Sequence, residues 1–155
     1  MIPSFRTVCG RHGRSLCVGL SLALATALAE PAGAAGGESL AAQVLAEVNR
    51  YRASQGLAAL QPDARLQAIA TAHSEDMARQ GRISHGGFQQ RLQRSGAQLC
   101  VENLAMGARH AGAVVAAWRA SPEHHRNLLE PGVQSVGLGQ AGSVISLLAC
   151  RFDTR

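Results

Sequence analysis

Lysine is absent from this 155-residue chain, and all 15 basic side chains are arginine, a bias that reads as genome composition before function. Charge is also sparse. Only 16% of residues carry it and no run of five or six like charges occurs, which excludes a disordered acidic or basic tail protein. The 17 glycines follow no period and no segment of about 20 to 50 residues recurs, so collagen-like and solenoid architectures are excluded. Aromatic residues amount to 3% of the chain. What remains is 46% hydrophobic, enough for one compact domain and too short for two sizeable cores.

The net charge of +5 is concentrated at the start. Arg6, Arg11 and Arg14 precede an uncharged apolar run from Leu16 to Ala29. This is the pattern of a secretory signal peptide over residues 1–29, with Ala27-Leu28-Ala29 supplying the small residues that signal peptidase requires. Ala32-Gly33-Ala34 is a second cut, placing the mature start between Glu30 and Gly36. The run is shorter than the roughly 20 residues of a membrane span, so no span is expected after cleavage, and the product is expected to be secreted or periplasmic. Once the leader is removed, 12 arginines face 10 acidic residues. Tyr51, Phe88, Trp118 and Phe152 are the only aromatics left and no basic stripe runs among them, which argues against nucleic acid as a partner.

Cys9 and Cys17 leave with the leader, so Cys100 and Cys150 are the pair in the exported product. In an oxidising compartment they are expected to form a disulfide, in preference to a reactive thiol with a His partner.

Residues 30–37 read as a flexible linker, and residues 38–155 as the domain. Leu40, Val44, Val48 and Tyr51 share one face of a first helix that Gly56 stops. Leu66, Ile69, Ala70, His73 and Met77 line a second helix that follows Pro62-Asp63 and ends at Gly81. Residues 83–87 read as loop and Phe88–Leu92 as a short amphipathic turn or helix. Leu99–Ala105 reads as a strand, Ala111–Ala120 as a helix redirected by Ser121-Pro122, and Val133–Gly139 with Val144–Phe152 as a hairpin. Helices first and a hairpin last predict an α+β fold.

Five histidines follow the leader, and His85, His124 and His125 sit in polar loop or helix-start settings where function collects. Two imidazoles and a carboxylate, His85, His124 and Glu102, are a donor set for a divalent cation such as zinc if the fold brings them together. His-Glu-x-x-His is absent, which excludes the zincin arrangement. His73 reads as a hydrogen-bonded core histidine, Trp118 as core, His125 as a surface or capping group and Asn127 as a brace for loop backbone. Glu102, between Val101 and Leu104 on an apolar strand, needs a partner: His124, a metal or a backbone amide.

Five segments resemble secreted bacterial members of the CAP superfamily, which joins cysteine-rich secretory proteins, antigen 5 allergens and plant pathogenesis-related proteins. They are Asn49-Arg50-Tyr51-Arg52 with Leu57 to Leu60, Ala72-His73-Ser74-Glu75-Asp76-Met77, Ser84-His85, Glu102-Asn103-Leu104-Ala105, and Trp118 to His124 with Asn127-Leu128-Leu129 and Val136 to Gly139. Order and spacing agree over residues 40–153. The resemblance implies an α-β-α sandwich with a central antiparallel sheet. It also implies a cleft where two His and two acidic residues can bind a cation, with His85, Glu102 and His124 at three of the four positions. Ser121 stands where animal members often carry the second Glu, so cation binding is expected to be weak and no cofactor is expected to be required. Val101 stands where Gly is common.

Two function classes follow. One is a binding module, monomeric, whose cleft of His85, Glu102, Ser121 and His124 holds a lipid, sterol or protein ligand. The other is a protease-like hydrolase using Ser121, His124 and Glu102 as nucleophile, base and orienter, for which the sequence offers no Gly-x-Ser-x-Gly turn or recognisable oxyanion hole. The balance leans away from an enzyme, with a purely structural envelope role as the third reading.

Overall fold

The computed structural model describes residues 38–107 and 109–153; the expected leader over 1–29, its cleavage sites and the linker over 30–37 lie outside the described residues. Helix α1 spans Leu40–Ser54, started by the Ser39 hydroxyl accepting from the Ala42 N–H. Its buried stripe is Ala41, Val44 and Val48, continued by Arg52. The expected Leu40 and Tyr51 flank that stripe, half-buried. Arg52 is tolerated inside because it donates to three backbone carbonyls, Ala58 at 3.0 Å, Leu128 at 2.8 Å and Glu130 at 3.1 Å, pinning two loops to the helix. Burial lowers its pKa, against the pull of nearby Glu130.

Strand β1 is Gln61–Pro62, and helix α2 is Ala64–Gln80, capped by the Asp63 carboxylate on the Leu66 N–H at 2.9 Å and closed by left-handed Gly81. Then come α3 (Phe88–Ser95), β2 (Leu99–Met106), α4 (Ala111–Ala120), α5 (Pro122–Leu128), β3 (Ser135–Ala141) and β4 (Val144–Arg151). The sheet order is β1-β3-β4-β2. The three long strands are antiparallel, as expected; β1 adds a parallel rung to β3 that two residues are too few to announce by alternation. β3 begins two residues later than the apolar pattern predicts, because Val133 belongs to the core without pairing as strand.

Central strand β4 is buried on both faces, which is why it reads as a continuous apolar run. Ile145, Leu147 and Ala149 pack with α1 and α4 through Val44, Val48, Val114 and Trp118. Leu148 and Cys150 pack on the other side with Leu66, Ile69 and Ala70 of α2. The result is the α-β-α layering that the resemblance implied. Helix α2 lies directly on β3, where a Cβ at Gly137 would overlap the backbone of Leu66 and Gln67, and one at Gly139 the backbone of Ala70. Ser146 fixes the same contact by donating to the Ala70 carbonyl at 2.7 Å and pairing with Ser74 at 2.8 Å. Cys100 and Cys150 are register partners on β2 and β4 and are bridged.

Candidate functional site

Side chains two apart on a strand share a face, so Glu102 points the same way as Cys100, into the layer of α2 and α3. Its side chain is 3% exposed. Arg91 of α3 meets it as a fork, Nε at 2.6 Å from Oε2 and Nη2 at 2.8 Å from Oε1. His85 Nδ1 lies 2.9 Å from Oε1. Arg91 also donates through Nη1 to the Gly86 carbonyl at 2.8 Å and through Nη2 to that of His85 at 3.4 Å, so one guanidinium fixes both the carboxylate and the loop that carries the histidine. Glu102 thus takes its partners from Arg91 and His85, and not from His124 or a backbone amide as the sequence suggested.

An ionised carboxylate only accepts, so His85 donates from Nδ1, and in its neutral form Nε2 is left as a lone pair on the opposite edge of the ring. The His85 side chain is 54% exposed. Its ring centroid lies 6.3 Å from that of His124, with planes tilted by 40°. His124 is placed by the first turn of α5, which Pro122 starts. Its carbonyl accepts from Asn103 Nδ2 at 3.0 Å, while Asn127 donates to the Glu102 carbonyl and to Asn103 Oδ1, both at 3.0 Å. These bonds lock α5 onto β2. Burial, and secondarily the neighbouring His85, lower the His124 pKa below the ordinary histidine value; Glu123 opposes them.

His85, Glu102 and His124 line one cavity of about 320 Å³, with Phe88, Val101 and Cys100 as its apolar walls. Ser121 is not among the lining residues: it is the junction between α4 and α5, without a side-chain capping bond. Among the described residues no three of His, Cys, Asp and Glu stand together as a metal-binding group. A cation here would have only the two imidazoles as ligands, with water completing its shell, since both oxygens of Glu102 are taken by Arg91 and His85.

Arg91 and Phe88 were not singled out from sequence as site residues. The signal for Arg91 was an arginine one turn after Phe88, on the same side of a short helix. His73 is buried as expected, but its Nε2 has no hydrogen bond among the described residues and stands 3.9 Å from Glu102 Oε1. Burial lowers its pKa most, then Arg91; Glu102, the Ser84 carbonyl and Asp76 pull the other way. Trp118 is core and donates to the Leu104 carbonyl at 2.9 Å. His125 pairs with the Tyr51 hydroxyl at 2.7 Å, beneath an Arg119 guanidinium 4.3 Å from the Tyr51 ring centroid.

A family model described as the cysteine-rich secretory protein family, CAP, matches residues 45–143. Among solved structures, an extracellular protein containing a SCP domain from Bacillus anthracis is 29% identical with a TM-score of 0.66, covering 70% of this chain and 39% of its own. An outer surface protein from Borrelia burgdorferi is 22% identical with a TM-score of 0.66, covering 71% of this chain and 90% of its own. A cysteine-rich secretory protein from Staphylococcus aureus is 16% identical with a TM-score of 0.64, covering 70% and 36%. The chain therefore spans well under half the length of the Bacillus and Staphylococcus chains. No curated protein matches. These neighbours are described as extracellular, outer-surface or secretory, and no helix among the described residues is long and apolar enough to cross a membrane. With the family model covering more than half its length, the chain belongs to the CAP family of cysteine-rich secretory proteins.

Proposed function

We propose that this is a secreted binding module, and that the cavity lined by His85, Glu102 and His124 holds one polar end of a lipid, sterol or protein ligand. The carrying observation is that both oxygens of Glu102 are already engaged by Arg91 and His85. A carboxylate so occupied orients His85 and is not free to orient His124, the base that a hydrolase built on Ser121 would need. The 320 Å³ volume lies at the small end of ligand sites, fitting a head group or side chain better than a whole sterol. Apolar walls from Phe88, Val101 and the disulfide, with imidazoles at the mouth, suit an amphipathic end group.

The hydrolase reading would need Ser121 beside His124 in the cavity, and Ser121 does not line it. A Ser121→Ala variant that abolished peptidase or esterase turnover with the fold intact would restore that reading. Any divalent cation would rest on His85 and His124 and bind weakly. Native mass spectrometry of the full chain isolated from its source, wild type against His124→Ala, tests the binding reading. A co-purifying molecule depleted in the variant is the expected result; an equally loaded variant, or a wild type that carries nothing, would overturn it.

A further inference from the structure

The ion pair of Arg91 and Glu102 separates two cavities. Glu102 lines the one just described, while Arg91 lines a second and larger one of about 460 Å³ between α2, the segment 82–87 and α3. Its base is apolar, from buried Ile69 and Met77, and its exposed walls carry Arg82 and Arg94, neither of which makes an ion pair among the described residues. The acidic lining residue, Asp76, is paired with Arg79 one turn along α2. The balance in the cavity is therefore cationic.

Two details mark this wall as unfinished by the chain itself. His73 contributes to the base, and its Nε2 is the buried side-chain polar atom left without a hydrogen bond among the described residues. Arg91 has spent its other donors on Glu102, Gly86 and His85, leaving one Nη1 proton without an acceptor among the described residues. Gly87 lies beside Nη1: a Cβ there would approach it at 3.5 Å, and at φ +75 a side chain is disfavoured.

We propose that this cavity is a second binding site, distinct from the histidine cleft, for a small organic anion: a carboxylate head joined to a compact apolar body. The guanidinium groups of Arg82 and Arg94 match a carboxylate in charge and fork geometry. Ile69 and Met77 take the apolar body. The head group, directly or through one water, reaches the unused proton of Arg91, while the orphaned Nε2 of His73 faces Glu102 Oε1 at 3.9 Å and is left out of the anion contact.

Phenylbutyrate, phenylbutanol and phenylbutylamine share one body and differ in head charge, and amide NMR titration of the full chain reads where each binds. Saturable shifts confined to residues 69–94 are expected for phenylbutyrate, with at least about tenfold weaker binding of the alcohol and the amine, equivalent to roughly 1.4 kcal/mol. The exposed pair Arg82→Gln and Arg94→Gln should weaken phenylbutyrate by about tenfold or more and leave the melting temperature unchanged. His124→Ala should leave it as in wild type, which separates this site from the proposed cleft. Equal affinity for the three head groups, indifference to the double arginine substitution, shifts centred on His124 and Asn127, or no saturable binding of phenylbutyrate would each overturn the proposal.

Discussion

Replacing Arg91 by Met keeps much of the side-chain volume and removes the fork that holds Glu102. The carboxylate is 3% exposed and the guanidinium side chain 8% exposed, so water cannot take over the two lost hydrogen bonds without opening the layer between α3 and the sheet. Breaking a buried ion pair from one side costs about 3–5 kcal/mol. Glu102 retains the His85 Nδ1 at 2.9 Å, which places the expected loss near the lower figure, roughly 3 kcal/mol. In a domain of about 100 residues this lowers the melting temperature by about 10–15 °C. Urea unfolding at pH 7 measures the loss, and a cycle with Glu102→Gln isolates the coupling: Arg91→Met with Glu102→Gln should be less destabilised than the two single losses combined, by at least about 1 kcal/mol. An Arg91→Met loss below about 1 kcal/mol, or strict additivity in the cycle, would refute the claim that this pair anchors the site.

Other outcomes follow from the same structure. Gly137→Ala forces α2 off β3, because the new methyl meets helix backbone and not a yielding side chain; a loss of about 3 kcal/mol is expected by chemical denaturation, near the upper end of overpacking costs. Reduction of the Cys100–Cys150 bridge, which spans 50 residues, should cost about 4 kcal/mol in the chain-entropy account, read as the difference between oxidised and reduced unfolding curves. Both His73 and His124 have pKa values lowered by burial, so the unfolded chain binds protons first. Their contribution is complete above about pH 6.5 and is lost as pH falls through that value toward the lowered folded pKa, and the stability slope between about pH 7 and pH 5 should shrink in His124→Gln.

The helices and the hairpin were legible because their signals are local. Val44 and Val48 recur at helical spacing, Gly81 stops α2 by its left-handed conformation, and the alternation at Leu147 to Cys150 is hidden only because β4 is covered on both faces. Burial of Arg52 was not legible, since its acceptors at Leu128 and Glu130 lie more than 70 residues away. The same holds for the site. His85, Glu102 and His124 could be named from their chemical type and the family resemblance, and the fold brings all three to one cavity. Their division of labour could not be named, because it depends on Arg91, which reaches Glu102 only once α3 packs over β2. Ser121 was nominated by its three-residue spacing from His124, but the turn from α4 into α5 leaves it outside the cavity lining.

Glu102 accepts from His85 Nδ1, which in the neutral ring leaves the Nε2 lone pair on the opposite edge, and the proposed binding role of His85 rests on that tautomer. Long-range proton–nitrogen NMR of the imidazole rings reads that tautomer directly, and Glu102→Gln is the control. In the neutral ring of His85, Nδ1 is expected to carry the proton and Nε2 to be bare, with that preference lost in Glu102→Gln. An Nε2–H tautomer in the wild type, or a preference indifferent to Glu102→Gln, would contradict it.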